Sequence, residues 1–322
     1  MTEHNHENRQ RLNPKLQLEV DALSGWWTKR AAEIRAADAV REPLYHYTGM
    51  SGMLGIIATE HMWFTSIFHL NDPSELGYGL GIALDLLKEE ADRGTPSVEA
   101  FCKWMSHVLV KAGGEIFGFF VASFSRKDND LGQWRAYADN GRGVAVGLAP
   151  SLFEVVPDES SLKVTEKTIV ARVIYDPKRH EQNLREAIGC AIEGIARGEQ
   201  SATSEAEREE FGKAMAIELA VPIFTYSITC KHPAYEQEQE TRLLLVNDLH
   251  RLGPFIETRT RGSALVPYIQ SPLPVRKPGA LTKIMIGPAA DELADDAIRA
   301  FFRRQGLPLD ILDKSDIPYA AR

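Results

Sequence analysis

The chain has 322 residues, of which 44% are hydrophobic and 25% are charged, a composition typical of soluble globular proteins. Its formal net charge is −8 and its sequence pI is about 5.7, so strong non-specific attraction to nucleic acid or to an anionic membrane is not expected. The three cysteines (Cys102, Cys190 and Cys230) are widely spaced, which favours a thiol-reducing cytoplasm over a disulfide framework. The polar start and the lack of a long apolar run predict a soluble, cytoplasmic protein.

The predicted elements begin with a polar tail and a helix in residues 1–40, followed by a single domain at 41–322. A charged helical stretch at about 178–222 is predicted to be an insertion in that domain. The other predicted helices are at 51–60, 75–94, 97–113 and 290–306. Strands are predicted at 43–49, 62–67, 116–125, 168–176, 223–229, 240–246, 255–262, 264–270, 281–288 and 309–313, with one more inside 131–150. Strands and helices cluster rather than alternate, which predicts an α+β fold with a mixed sheet and surrounding helices.

The first predicted strand carries a histidine between two tyrosines. In a strand, His46 shares a face with Leu44 and Thr48, whereas Tyr45 and Tyr47 share the other face. One interpretation is an aromatic strand whose histidine bonds a main-chain carbonyl. The other is a cleft wall for a planar ligand, because a short helix, a second strand and a polar loop follow directly.

Two further segments offer polar groups to a ligand. Ser123 and Ser125 share one face of the apolar strand 116–125, which fits either a polar cavity or a strand end that emerges into water. Further along, Tyr137 lies one helical turn after a tryptophan, and Arg135 and Arg142 are candidates for an anionic group because guanidinium binds phosphate bidentately.

The segment 232–246 is predicted to be one strand with a row of carboxylates. Glu236, Glu238 and Glu240 occupy every second position and should project from one face. Like charges there repel, so the row fits either the solvent side of an edge strand or a functional site with counter-charges. Possible counter-charges lie nearby in the sequence: Lys231, His232 and Arg242.

The sequence lacks the common motifs for nucleotide binding, metal binding and serine hydrolase chemistry. It has no Walker loop, no GxGxxG motif, no HExxH or paired CxxC spacing and no G-x-S-x-G elbow. We therefore expect no bound metal, and the two common nucleotide-binding fingerprints are absent.

The order of these blocks carries two resemblances. From LYHYTG through LNDPSE, SFS, WRAYADNGRG and EQEQETR to IMIGP, roughly residues 43–319, the chain resembles a widespread bacterial family known as a domain of unknown function. The same blocks look like the motif order of the ADP-ribosyltransferase fold. That resemblance implies a largely antiparallel, split sheet and NAD as the substrate. It assigns His46 to the first motif, Ser123 or Ser125 to the second, and Glu238 with Glu240 to the third.

The resemblance also implies roles for these residues. Glu240 would stabilise an oxocarbenium-like state, as carboxylates do in glycoside cleavage, and Glu238 would position or activate the acceptor. His46 would bond a ribose hydroxyl, with Ser123 bracing it. The remaining predicted ligand contacts are Tyr47 or Tyr137 on nicotinamide, Arg135 or Arg142 on the pyrophosphate, and the neighbouring Thr48 and Ser125.

Three functions follow from these observations. The first is an ADP-ribosyltransferase-like enzyme that transfers ADP-ribose or hydrolyses NAD, as a toxin or a stress or defence effector does, with its acceptor left open. The second is a non-enzymatic nucleotide-binding regulatory module. The third is a Mg²⁺-dependent nuclease or phosphohydrolase that uses Asp72, Glu75 and the glutamate row.

Overall fold

The computed structural model describes residues 12–70, 73–112, 117–153 and 168–320. Contacts divide the chain into two compact units, which we describe separately. The helical unit contains Met1–Glu33, Ser74–Glu115 and Asp176–Cys230, and the sheet unit contains Ile34–Pro73, Ile116–Tyr175 and Lys231–Arg322. The last segment of the helical unit includes the helical stretch that the sequence predicts at about 178–222.

The described helices are α1 Pro14–Ala37, α2 Met50–Thr59, α3 Pro73–Arg93, α4 Pro96–His107, α5 Leu131–Tyr137, α6 Pro177–Glu199, α7 Glu205–Ile228, α8 Leu249–Leu252 and α9 Ala294–Gln305. The described strands are β1 Leu44–Thr48, β2 His61–Ser66, β3 Phe117–Ser125, β4 Val144–Leu148, β5 Thr168–Arg172, β6 Glu240–Asp248, β7 Glu257–Arg261, β8 Ala264–Pro272, β9 Leu281–Ile286 and β10 Leu312–Lys314. These elements confirm the predicted α+β class.

The sheet forks at β3. On one edge, β3 pairs along its whole length with β6, which in turn pairs with β5. On its other edge, β3 pairs with β1 through Ser125 and with β2 through Phe120 and Val121. One branch continues from β1 to β4, β9 and β10, and the other continues from β2 to β8 and β7. The pairings between described strands are antiparallel except β9 with β10, which confirms a mixed, largely antiparallel sheet.

The main hydrophobic core covers one face of the sheet. Phe124 of β3, Val146 of β4 and Leu243 of β6 lie on this face, where Ile57 of α2 and Phe302 of α9 pack against them. Burial of large apolar side chains is the dominant favourable term in folding, so α2 and α9 fix the branches of the fork from this side.

A smaller cluster covers the opposite face of the β1 branch. Tyr47, Ala145 and Met285 pack there against Trp134 and Ala138 from α5 and the residue after it. Both faces of β4 are therefore buried, as its continuous apolar run VAVGL predicts.

Helix α7 forms the centre of the helical unit. Among the described helices it alone is long and apolar enough to cross a membrane, but 67% of its most apolar window is buried inside the protein, as in the core helix of a soluble protein. The prediction of a strand at 223–229 is wrong, because these residues form the end of α7. Nearly every side chain there is buried, so the sequence shows no helical periodicity, and a short apolar run of this kind does not distinguish helix from strand.

The prediction of one continuous strand over 232–246 is also wrong. Pro233–Glu238 forms a 3-10 helix, which His232 caps by accepting a hydrogen bond from the Ala234 N–H at 3.1 Å. Pro233 has no N–H to donate to a sheet, and Gln239 adopts a left-handed conformation with φ 46° that ends the turn. Strand β6 starts only at Glu240, so the carboxylates do not form a row along one strand.

Candidate functional site

The candidate site is built around Glu240, the first residue of β6. Its Cα lies opposite Ser125 at the end of β3, and its side chain is buried. The guanidinium of Arg242 donates two hydrogen bonds to the carboxylate, Nε to Oε1 at 2.7 Å and Nη2 to Oε2 at 2.9 Å. This bidentate pair forms because residues two apart in a strand project from the same face.

Lys231 connects the two carboxylates that the sequence singles out. Its ammonium nitrogen lies 2.6 Å from Glu238 Oε2 and 3.4 Å from Glu240 Oε2, and only 1% of its side chain is exposed. The 3-10 helix returns Glu238 to the start of β6, so the two carboxylates meet at one lysine although they belong to different elements. Glu236, by contrast, is exposed.

These cations decide the charge of Glu240. Burial by itself raises the pKa of a carboxyl, but the charges of Arg242 and Lys231, with hydrogen bonds from Arg242 and Ser123, lower the pKa of Glu240 to about 2. Glu240 is therefore ionised at neutral pH. Its main-chain N–H also donates to the Tyr175 hydroxyl at 2.9 Å, and burial raises the pKa of Tyr175 to about 12.

His46 lies at the fork between β1 and β3. Its Nδ1 donates to the main-chain carbonyl of Ser123 at 3.0 Å, since a carbonyl can only accept, and its ring is 5.7 Å from that of Phe124. Burial lowers the pKa of His46. The hydrogen bond to Ser123 opposes this lowering, and the positive charge of Arg259 adds to it. The ring is therefore neutral at pH 7, with Nε2 as its unprotonated nitrogen.

The strand register separates His46 from Glu240. Tyr45 pairs with Ser125, and Ser125 pairs with Glu240, so these three side chains share one face of the sheet. His46 follows Tyr45 and projects from the opposite face. Ser123 joins the two residues, because its carbonyl accepts from His46 while its hydroxyl bonds the Glu240 carboxylate.

Two other predicted ligand contacts are occupied by the protein itself. The Ser125 hydroxyl donates to the Glu238 carbonyl at 2.8 Å and accepts from the Lys127 N–H at 3.1 Å. Tyr47 is buried, and its ring contacts that of Trp134 edge to face, with the centroids 4.8 Å apart. Its hydroxyl donates to the Lys127 carbonyl at 3.0 Å and accepts from the Asp130 N–H at 3.0 Å. Both residues fasten the loop after β3 to the sheet.

The remaining predicted contacts lie at the surface or at the end of β1. Arg135 and Tyr137 are exposed on α5, and Arg142 is exposed on the turn that follows, 4.0 Å from Asp139. Thr48 is partly buried and pairs with Val144 of β4. The structure thus brings Ser123, Glu238 and Glu240 together, with His46 across the sheet, and leaves the two arginines in solvent.

Sequence reasoning missed two members of this neighbourhood. Tyr175 follows β5 and gave no motif signal, although its hydroxyl bonds the backbone of Glu240. Arg259 lies in the alternating segment ETRTR of β7, which has the pattern of a solvent-exposed edge strand. A separate cleft of about 290 Å³ in the sheet unit contains none of the predicted site residues; its charged lining is Asp38, Arg41, Glu42, Arg126 and Arg172.

The residues proposed for a Mg²⁺ site lie partly outside the described residues. Asp72 lies outside the described residues, as does the side chain of Glu75. Within the described parts of the chain, no group of three or more His, Cys, Asp or Glu side chains is placed to hold a metal ion.

Comparison with known proteins gives one match. No curated protein and no solved structure matches the chain. A family model described as a protein of unknown function (DUF2971) matches residues 133–243, which include Lys231, Glu238, Glu240 and Arg242. Over this segment, the chain is similar to an uncharacterised family, and the charged cluster at the start of β6 lies within the similarity.

Proposed function

We propose that the protein is an ADP-ribosyltransferase-like enzyme that cleaves the nicotinamide–ribose bond of NAD and transfers ADP-ribose to an acceptor or to water. One observation carries the proposal. At the fork of the sheet, Ser123 contacts His46 through its carbonyl on one face and Glu240 through its hydroxyl on the other, so one residue connects members of all three predicted motifs. The resemblance to this fold implies a split sheet, and the sheet of this protein divides into two branches at β3.

The chemistry requires an ionised carboxylate near the sugar. Cleavage of the glycosidic bond passes through an oxocarbenium-like state, in which positive charge develops on the ribose. Glu240 meets this requirement because its two cationic neighbours keep it ionised. A fixed charge of this kind acts most strongly where water is excluded, and Glu240 is only 7% exposed.

Binding of a ribose hydroxyl to Glu240 requires an exchange of partners. The contact of Lys231 with Glu240, at 3.4 Å, is longer than either hydrogen bond from Arg242. In our proposal the ribose hydroxyl replaces Lys231, which remains paired with Glu238 at 2.6 Å. Glu238 is the more accessible carboxylate, with 16% of its side chain exposed, and it orients the acceptor.

The test is incubation of the purified protein with NAD labelled in its adenylate moiety, with and without cell lysate. We expect nicotinamide release or transfer of the label, and a loss of about 100-fold or more in Glu240→Gln, the range seen when a preorganised electrostatic group is removed. The exposed Glu236→Gln is the matched control and should keep wild-type activity. Ser123→Ala supplies a second active-site variant in case Glu240→Gln does not fold. If the wild type neither releases nicotinamide nor transfers the label, the proposal is overturned.

A second candidate is a nucleotide-binding regulatory module without catalysis. The observation that favours it is the occupancy of Glu240, whose carboxylate already accepts hydrogen bonds from Arg242, Lys231 and Ser123. Such a carboxylate suits a structural ion pair. This candidate predicts that NAD raises the unfolding temperature of the wild type but remains intact after prolonged incubation.

A further inference from the structure

A second charged group lies on the β2 branch of the sheet. Arg259 of β7 lies beside Val266 of β8, and Tyr268 of β8 lies beside Thr65 of β2. Because strand residues two apart project from the same face, the register places Arg259, Tyr268, Thr65 and Trp63 together on one face of this branch. The positive charge of Arg259 also contributes to the lowered pKa of His46.

The guanidinium of Arg259 lies over two aromatic rings that pack against each other. Its central carbon lies 5.2 Å from the Trp63 ring and 5.9 Å from the Tyr268 ring. Nη2 donates to Thr65 Oγ1 at 3.0 Å, whereas Nε is buried and has no hydrogen-bond partner among the described residues. A guanidinium that lies over aromatic rings can still donate hydrogen bonds from its edge, as arginine does to phosphate groups.

No carboxylate in the described parts of the chain forms an ion pair with Arg259. The acid on the same strand, Glu257, accepts hydrogen bonds from the Tyr268 hydroxyl at 2.7 Å and from Gln270 at 2.9 Å. Burial and the neighbouring charge of Arg261 lower the pKa of Arg259, so its surroundings disfavour a lone cation. A half-buried arginine with an orphan donor and no counter-charge is suited to an anionic ligand.

Trp63 supplies a platform beside this arginine. Its side chain packs on Tyr268, with ring centroids 4.6 Å apart, yet the residue is 40% exposed. Exposed aromatic rings next to arginine are the elements on which nucleobases stack, because every base has a π face.

We propose that Arg259 binds a phosphate group of a nucleotide whose base stacks on Trp63. This inference deepens the proposed function, on which it rests only for the identity of the nucleotide. It moves the phosphate contact from Arg135 and Arg142, which are exposed, to an arginine whose orientation is fixed by the sheet.

The test is calorimetric titration of the wild type and variants with ADP and with adenosine, which lacks the phosphates. We expect the wild type to bind ADP more tightly than adenosine, and Arg259→Ala to lose about tenfold or more of its ADP affinity, while its adenosine affinity is unchanged. Arg303→Ala, which removes a positive charge from an exposed position on α9, should bind ADP as the wild type does. Arg259→Lys keeps the charge but not the planar fork, and we expect it to show most of the loss while retaining the fold.

Two results would overturn the inference. One is a wild type that binds ADP no more tightly than adenosine, and the other is an Arg259 variant that binds ADP as tightly as Arg303→Ala does. Failure of the proposed enzyme looks different. If the wild type binds ADP through Arg259 but leaves NAD intact, the proposed enzyme activity is excluded and the phosphate site at Arg259 stands. If the wild type cleaves NAD and Arg259→Ala cleaves it with the same KM, the enzyme proposal stands and the phosphate site at Arg259 is excluded.

Discussion

Arg242 donates hydrogen bonds to both carboxylate oxygens of Glu240, at 2.7 and 2.9 Å, in a part of the sheet where both side chains are almost fully buried. Such a pair is costly to break, because the partner that remains is a buried charge without compensation. The relationship makes Glu240 a structural element of the sheet unit as well as a candidate catalytic group.

Glu240→Gln should therefore destabilise the protein. We expect the free energy of unfolding in urea to fall by about 3–5 kcal/mol, the usual cost of removing one member of a buried ion pair. Glu236→Gln removes the same charge from an exposed position and should change stability by less than about 0.5 kcal/mol. Equal unfolding midpoints for the two variants would contradict the buried ion pair.

The same ion pair predicts a contribution to stability that depends on acid pH. The pKa of Glu240 is lowered from 4.5 to about 2 in the folded protein. Above pH 4.5 the carboxyl is ionised in both states and its stabilisation is complete. As the pH falls from 4.5 towards 2, the unfolded chain takes up the proton first, so the stabilisation is lost. The difference in unfolding free energy between wild type and Glu240→Gln should shrink across this window; a difference that stays constant would contradict it.

His180 in the helical unit predicts a second, higher pH window. The residue is fully buried in α6, and burial lowers its pKa from 6.5 to about 4. Above pH 6.5 the ring is neutral in both states. Between pH 6.5 and 4 the unfolded chain binds a proton that the folded chain excludes, so stability falls by about 3 kcal/mol. Urea unfolding at several pH values should show this loss in the wild type and not in His180→Leu, and identical pH profiles would contradict it.

Tyr47 provides a test of the loop after β3. Its hydroxyl bonds the main chain of Lys127 and of Asp130, and Tyr47→Phe leaves both groups without this partner. We expect a loss of about 1–3 kcal/mol in unfolding free energy, the cost of an unsatisfied buried polar group. Tyr137→Phe, at an exposed position, is the matched control. If Tyr47 instead presents its ring to a ligand, the Phe variant should keep wild-type stability.

The strands were the part of the fold most accessible from sequence. The apolar runs at β3 and β4 are buried on both faces, and alternation or continuous apolarity predicts such strands directly. The end of α7 was predicted as a strand because burial on all sides removes helical periodicity. The i, i+2 spacing of the glutamates predicts a strand, but Pro233 favours a turn and the left-handed conformation of Gln239 leaves no pattern in the sequence.

The candidate site was only partly predictable, for a different reason. Glu238, Glu240 and Ser123 are close in space, as the motifs suggest, but the side of the sheet that each occupies depends on register between strands far apart in sequence. One pairing, Tyr45 with Ser125, decides that His46 projects away from Glu240. Arg259 was missed because its stacking partners, Trp63 and Tyr268, come from two other strands and leave no pattern around residue 259.

The most direct test of a nucleotide site at the fork is a crystal structure with an NAD analogue whose glycosidic bond cannot be cleaved. We predict a ribose hydroxyl at hydrogen-bond distance, about 3 Å, from the Glu240 carboxylate, with Lys231 displaced towards Glu238 and a phosphate against Arg259. An analogue bound instead in the cleft lined by Arg126 and Arg172, with the Glu240–Lys231 contact intact, would contradict the account.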